Sequence, residues 1–201
     1  MSSQPRGGVA IGILAAGRGR RFGGGKVLAE LRGTPLVRHA VDAAVASELR
    51  PVLTVVSQFA LAIESVLPAG VDVVRAPGAR LGIAHSLRSL VRALEGWRQV
   101  GAVCVGLADQ PLVGPDAYRR LAAAYDAGAD FAVATYGGQR QNPVLIGREL
   151  WPRVRTLRGD VGARGLMASV PPVEVACDDT GRPDDIDTAE DLARIEREME
   201  N

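Results

Sequence analysis

The stretch that decides the fold is Val9-Ala10-Ile11-Gly12-Ile13-Leu14-Ala15-Ala16-Gly17-Arg18-Gly19-Arg20-Arg21-Phe22-Gly23-Gly24-Gly25-Lys26. Its first six residues are apolar apart from Gly12, the pattern of a strand covered on both faces in a parallel sheet. The strand empties directly into a glycine-rich turn, where several backbone N–H groups can converge on an anion. The turn ends at Lys26, the only lysine among 24 basic residues. A compact ammonium with rotatable donors suits a phosphate oxygen among backbone amides, whereas arginine's planar fork needs a wider pocket.

Outward from this stretch, short β-branched runs alternate with segments of helical period, the signature of βαβ units around a mostly parallel sheet. Strands are expected at 9–14, 52–56, 71–74, 100–107 and 173–176. Helices are expected from Pro35, with Thr34 as cap, to about Glu48, and at 60–66, 83–95 and from Pro115 onward. Beyond Asp130 the pattern changes. Residues 131–136 and 143–146, joined through Gly137-Gly138, predict an antiparallel excursion at the sheet edge. Residues 150–157 and 161–170 read as short helices. Thr188 with Asp191 three residues later predicts a capping box at the start of the last helix. The expectation is one α/β domain over residues 1–201, a three-layer, Rossmann-like arrangement of a mostly parallel sheet between helices.

Composition narrows the function classes. With 47% hydrophobic and 23% charged residues the chain can build a sizeable core. A formal net charge of +1 offers no global attraction to nucleic acid or to an acidic membrane, so anion binding must be local, as at Arg18, Arg20 and Arg21. Cys104 and Cys177 are too few for a disulfide framework and predict a reduced, cytoplasmic setting. No apolar run approaches the roughly 20 residues that span a bilayer.

Two phosphate fingerprints fail. Gly25-Lys26 is followed by Val27, and Arg20 stands where a P-loop needs its first glycine. The dinucleotide pattern needs glycine at position 22, which Phe22 occupies.

Leu14-Ala15-Ala16-Gly17-x-Gly-x-Arg21-Phe22-Gly23-x-x-Lys26, Leu107-Ala108-Asp109-Gln110-Pro111, Asn142-Pro143-Val144-Leu145, Arg158-Gly159-Asp160-Val161-Gly162-Ala163-Arg164 and Asp185-Ile186-Asp187-Thr188-x-Glu190-Asp191-Leu192 follow one another in order along nearly the whole chain. Together they resemble the MobA-like nucleotidyltransferases, and within them the molybdenum cofactor cytidylyltransferase (MocA-like) branch. The resemblance implies a transferase that joins an acceptor phosphate to the α-phosphorus of CTP and expels pyrophosphate. Such work is mainly alignment and neutralisation of growing negative charge.

What the resemblance implies for individual residues follows. Lys26 and Arg21 would contact the triphosphate, with Asp109 beside them as the third catalytic residue. Leu14, Ala15, Ala16, Gly17, Arg18, Gly19, Arg80, Gly82 and Ser86 would bind the nucleotide. Asn142, Pro143, Asp160 and Arg164 would line the acceptor pocket. Asp109 and Asp187 would hold magnesium, or manganese, both hard cations suited to carboxylate and phosphate oxygen. Ala16, where guanosine-using relatives carry glycine, favours CTP. A molybdenum hydroxylase would be the client; nucleic acid and membrane are not expected as partners.

Each residue also has an ordinary reading. Asp109 could be a turn residue bonded to its own backbone, and Asp187 could simply favour a helix N-terminus. Asp160 and Arg164 could be an i,i+4 surface pair. Asp178, Asp179, Asp184 and Asp185 read as a solvated acidic loop, and His39 as structural. His85 stays ambiguous, because its segment resembles the family's base-reading turn. Asn142-Pro143 departs from the His-Pro of many relatives, which leaves another phosphorylated acceptor open; use of another nucleoside triphosphate is a further alternative. A reductase of the nicotine blue oxidoreductase type shares this fold; it would consume a reduced nicotinamide without releasing pyrophosphate. A catalytically silent nucleotide carrier is the third class.

Overall fold

The computed structural model describes residues 6–17, 19, 22–57 and 60–200. In chain order the strands are β1 (Gly8–Leu14), β2 (Glu30–Leu31), β3 (Thr34–Pro35), β4 (Val52–Val56), β5 (Val71–Arg75), β6 (Val100–Leu107), β7 (Phe131–Tyr136), β8 (Gln139–Gly147) and β9 (Val173–Ala176). The α-helices are α1 (Leu36–Ala46), α2 (Ala60–Glu64), α3 (Ile83–Leu94), α4 (Pro115–Asp126), α5 (Trp151–Val154) and α6 (Ala189–Glu200).

Seven strands form one sheet in the order β5-β4-β1-β6-β8-β7-β9, and β2 pairs with β3 in a separate two-stranded ribbon. β8 alone runs against its neighbours β6 and β7, which is the expected antiparallel excursion. From β1 the chain steps outward to β4 and β5, then returns to β6 on the other side of β1. That reversal is the switch point of an open α/β sheet, where a crevice opens beyond the strands' carboxyl ends.

The alternation of β1 sorts the core into two layers. Val9, Ile11, Ile13 and then Ala15 pack with α1, α2 and α4, while Ala10, Leu14 and then Ala16 pack with α3 and α5. Gly12 is the exception on the α3 face: a Cβ there would lie 2.2 Å from the Leu90 side chain, so the glycine lets that helix approach. A third cluster of Leu31, Leu36, Ile186 and Ile195, joined by Phe22, Leu112 and Leu192, docks α6 beside the glycine-rich turn.

The structure corrects three boundaries. Thr34 and Pro35 do not open α1 as cap and first residue; they pair with Leu31 and Glu30, and the helix begins at Leu36 with Pro35 at the cap position. Proline's fixed φ serves the ribbon as well as a helix start. The helix expected over 150–157 shrinks to α5, preceded by a 3-10 turn at Arg148–Leu150. The one expected over 161–170 is a 3-10 turn at Ala163–Leu166, where Gly162 and Gly165 weaken a longer helix. In the hairpin of β7 and β8, Val133 pairs with Val144 but Ala134 pairs with Gln141, so Asn142 and Pro143 fall in an irregularity. Proline has no N–H for a ladder and belongs in such a place.

Candidate active site

The carboxyl ends of β1 and β6 lie side by side at the switch point, with Leu14 paired to Leu107 and the Ala108 N–H donating to the Leu14 carbonyl at 3.1 Å. Asp109 therefore leaves β6 directly opposite the glycine-rich turn. A cleft of 390 Å³ opens there, and Leu14, Ala16, Gly17, Arg80, Ser86 and Asp160 stand among its walls with Asp109. A second cleft of 270 Å³ shares Ile83, Leu107 and Asp160 with the first and extends over Asn142, Gly162 and Arg164. The site is thus one groove in two compartments, with Asp160 at their junction.

Three segments distant in sequence meet at its edge. The Lys26 ammonium donates to Asp109 Oδ2 at 2.6 Å and to Asp187 Oδ1 at 2.8 Å. Lys26 is nearly enclosed, at 8% side-chain exposure, whereas Asp109 and Asp187 retain 26% and 45% and open the group to solvent. Burial alone pulls the ammonium's pKa down and is the largest single influence, but the charges and hydrogen bonds of both aspartates together outweigh it and the net shift is upward. The balance is physically reasonable: an unpaired buried ammonium costs several kcal/mol, roughly, while each charge-assisted bond returns about 1.5–3 kcal/mol.

Local backbone builds this contact. Gly23, Gly24 and Gly25 all have positive φ and meet nothing where a side chain would stand, so they serve conformation rather than packing. Gly25 caps the short 3-10 turn Lys26–Leu28 that fixes the lysine's backbone. Asp187 arrives by a different route. Val113 and Gly181 form an antiparallel bridge, and the Arg182 N–H donates to the Leu112 carbonyl at 2.9 Å. The chain then runs past Asp109, whose carbonyl accepts from the Ile186 N–H at 2.9 Å. α6 follows, capped as expected: the Thr188 N–H donates to Asp191 at 2.9 Å and the Asp191 N–H to the Thr188 hydroxyl at 3.1 Å.

The expected site residues separate into groups. Leu14, Ala16, Gly17, Arg80, Gly82, Ser86 and Asp109 line the first compartment, and Asn142, Asp160 and Arg164 the second. Ala15 points the other way, into the α1 and α4 layer, and is not among the lining residues of the first compartment. Pro143 is not among the lining residues of the second compartment. Gly19 packs against Lys26, a Cβ there falling 2.7 Å from that of the lysine. Arg18, Arg20 and Arg21 lie outside the described residues.

The ordinary readings separate too. His39 bonds the Leu31 carbonyl at 2.9 Å and is structural. His85 turns away from the nucleotide-side cleft to a different surface cavity, lined also by Arg75, Arg88, Arg92 and Arg155. Asp160 and Arg164 form no ion pair with each other among the described residues, because the 3-10 turn at 163–166 breaks the i,i+4 spacing. Asp178, Asp179 and Asp184 do sit in a solvated loop, Asp179 pairing with Arg120 and Asp184 with Arg182. Asp185 is the residue that sequence reasoning missed: desolvation first, then the charges of Asp109 and Asp187, push its carboxyl above the usual range although much of its surface is open. It is a third carboxylate in the field of the pair.

The chain belongs to the MobA-like NTP transferase domain family, which it matches over residues 11–175. It is a nucleotidyltransferase of that family. Purine catabolism protein PucB of Bacillus subtilis is 32% identical over 209 residues, covering 94% of this chain and 97% of that protein. The crystal structure of Rv0371c from Mycobacterium tuberculosis superimposes with a TM-score of 0.85 at 27% identity, covering 96% of this chain and all of the other. The same mycobacterial protein in complex with manganese gives a TM-score of 0.82 at 26% identity, covering 96% and 99%. Among the described residues no helix is long and apolar enough to cross a membrane.

Proposed function

We propose that this protein transfers CMP from CTP to the terminal phosphate of a molybdopterin-type acceptor, in the presence of magnesium or manganese, with release of pyrophosphate. The observation that carries the reading is the meeting of Lys26, Asp109 and Asp187 at the edge of a two-compartment cleft on the sheet's switch point. The first compartment suits the nucleotide and the second the acceptor.

In this reaction an acceptor phosphate oxygen attacks the α-phosphorus, a new P–O bond forms, and the bond to the pyrophosphate oxygen breaks. No side-chain nucleophile is needed. Lys26, close to the turn of residues 17–25, neutralises charge as it grows on the α-phosphate, and Arg21 adds a second cation. Gly17 leaves room for the phosphates to approach the backbone, and Arg80, Gly82 and Ser86 hold the base side. Asn142 borders the acceptor, with Asp160 and Arg164 steering it across the shared wall.

The donor set fits a small divalent ion. Two carboxylate oxygens already within 2.6 and 2.8 Å of one cation are close enough to share another. Among the described residues no group of three His, Cys, Asp or Glu side chains forms a metal site, so phosphate oxygens and water would complete the shell. A divalent ion on Asp109 and Asp187 would supply charge neutralisation at the triphosphate. The manganese-bound mycobacterial neighbour supports this. Ala16 is among the residues lining the nucleotide compartment, which supports a part in restricting the base and hence CTP over GTP. A molybdenum hydroxylase would receive the finished cofactor.

Pyrophosphate release with CTP, GTP or ATP, a divalent salt and a molybdopterin acceptor tests the reading. CTP turnover is expected, reduced about 10²–10³-fold in Lys26→Ala. Ala16→Gly should shift preference toward GTP. Unchanged turnover in Lys26→Ala would remove the phosphate role, and a wild-type preference for GTP would remove the argument from Ala16. Consumption of a reduced nicotinamide without pyrophosphate would favour the reductase reading instead.

A further inference from the structure

We infer that the Lys26 ammonium is a resident cation that keeps a divalent ion out of the Asp109–Asp187 pair until a bound triphosphate draws the lysine away. The inference rests on the metal reading above and adds an order of events to it.

The ammonium stands between the two carboxylates, at 2.6 Å from one and 2.8 Å from the other. It therefore occupies the position from which an ion would contact both oxygens. A lysine cannot remain there while a divalent ion binds, because two cations would sit in contact. With the lysine in place the three groups sum to one negative charge; with it withdrawn, to two. Without the lysine the two carboxylates carry charge that a divalent ion would offset.

The surrounding chain allows the exchange. Lys26 is held at its backbone by the 3-10 turn Lys26–Leu28, so the move required is rotation of a four-carbon side chain rather than of the fold. On its N-terminal side Gly19, Gly23, Gly24 and Gly25 all take positive φ, and having no side chains they leave a path for an anion beside the ammonium. A triphosphate seated in that path offers the ammonium new oxygens at the moment it brings its own negative charge to the ion. One side chain would then serve two states: counter-ion to the carboxylates in the empty protein, and phosphate ligand in the loaded one. Nucleotide and metal should bind with strong mutual dependence, and the metal alone weakly.

Manganese binding to the nucleotide-free full chain, followed by the electron paramagnetic resonance of free Mn²⁺, tests this without reference to turnover. Lys26→Met should bind Mn²⁺ about tenfold more tightly than wild type, or more, since the ion no longer displaces two charge-assisted hydrogen bonds. Lys26→Arg, which keeps a cation, should stay near wild type. Adding Asp109→Asn to Lys26→Met should abolish the gain. Lys26→Gln provides a second neutral variant should Lys26→Met melt below the assay temperature. As an independent readout, the neutral variant should melt lower than wild type in a chelator and recover more on adding Mn²⁺.

A folded neutral variant that binds Mn²⁺ no better than wild type overturns the inference, as does equal tightening in Lys26→Arg, which would indicate loosening of the loop. No binding by any variant overturns both the inference and the metal assignment. CTP-dependent pyrophosphate release by wild type is read separately. Turnover without the tightening leaves the transferase reading intact and ends this one; tightening without turnover does the reverse.

Discussion

Gly82→Ala should be among the most damaging single-atom additions to this protein, and its effect can be worked from geometry. A Cβ at residue 82 would lie 2.2 Å from both the carbonyl carbon and oxygen of Gly159 and 2.7 Å from the Asp160 nitrogen. All three are backbone atoms, so no rotamer change relieves the contact. The residue also sits at φ 120 and ψ 163, a region open essentially to glycine and costing other residues about 1–3 kcal/mol. Overpacking adds roughly 1–3 kcal/mol. The way out is to push residues 158–160 away from the start of α3, which breaks the 3.1 Å bond from the Ala84 N–H to the Gly159 carbonyl, worth about 1 kcal/mol. A net loss of about 2–4 kcal/mol is expected, at the lower part of the sum because relaxation exchanges strain for the lost bond. Because Asp160 belongs to the wall shared by both compartments, nucleotide affinity should fall as well. Urea unfolding and calorimetric titration with CTP measure the two effects. Gly17→Ala is the control for stability, as a Cβ there meets nothing within 4 Å. A Gly82→Ala protein with the wild-type urea midpoint would refute the claim that these two backbones touch.

Two further substitutions test the electrostatics and the capping. The Asp185 carboxyl is raised above its ordinary value by desolvation and by its acidic neighbours, so its folded-state pKa exceeds its unfolded one. Its favourable contribution is then present below the ordinary carboxylate range and is lost as pH rises through the folded value. Asp185→Asn should therefore raise the urea midpoint at pH 7 in a chelator and lose that advantage below about pH 4; a lower midpoint at pH 7 would contradict the assignment. Thr188→Ala removes one half of a reciprocal cap whose two backbone bonds measure 2.9 and 3.1 Å, and should cost about 1 kcal/mol in the same assay. Wild-type stability would mean that α6 is held by packing alone.

The parts of this protein legible in its sequence are those with local causes. β1 and β6 could be read because a strand buried on both faces must be apolar almost throughout, as in Val100–Leu107. Lys26 was visible as a lone lysine after glycines, Asp109 as an acid at the end of the best strand, and the Thr188–Asp191 cap as a spacing of three. The ribbon of Glu30–Leu31 with Thr34–Pro35 was not, since two-residue strands carry no periodicity. Nor was the division between Ala15 and Ala16. Identical residues take opposite faces there because strand alternation continues past the end of β1: Ala15 joins the α1 and α4 layer, while Ala16 joins the α3 and α5 layer and borders the cleft. The contacts of Lys26 span 83 and 161 residues, and no local pattern encodes them.

Those long-range contacts have a physical origin in an apolar residue. Ile186 is fully buried, in a cluster with Leu31, Leu36 and Ile195, and its N–H is bonded to the Asp109 carbonyl. The two residues that flank it both act on the Lys26 group, one bonded to the ammonium and the other in the field of the two aspartates. Those neighbours are Asp187 and Asp185. Burial of one isoleucine thereby holds two carboxylates near the end of β6, against their mutual repulsion, and the same cluster includes Phe22 from the glycine-rich turn that carries Lys26. Hydrophobic burial of a large aliphatic side chain is worth about 1.5–3 kcal/mol, comparable to the electrostatic cost of holding like charges together near a surface. The lysine that joins Asp109 to Asp187 makes up the difference. The site is held in its charged arrangement by packing behind it, and the charge density that would attract an ion is stored in the folded chain before any ligand arrives.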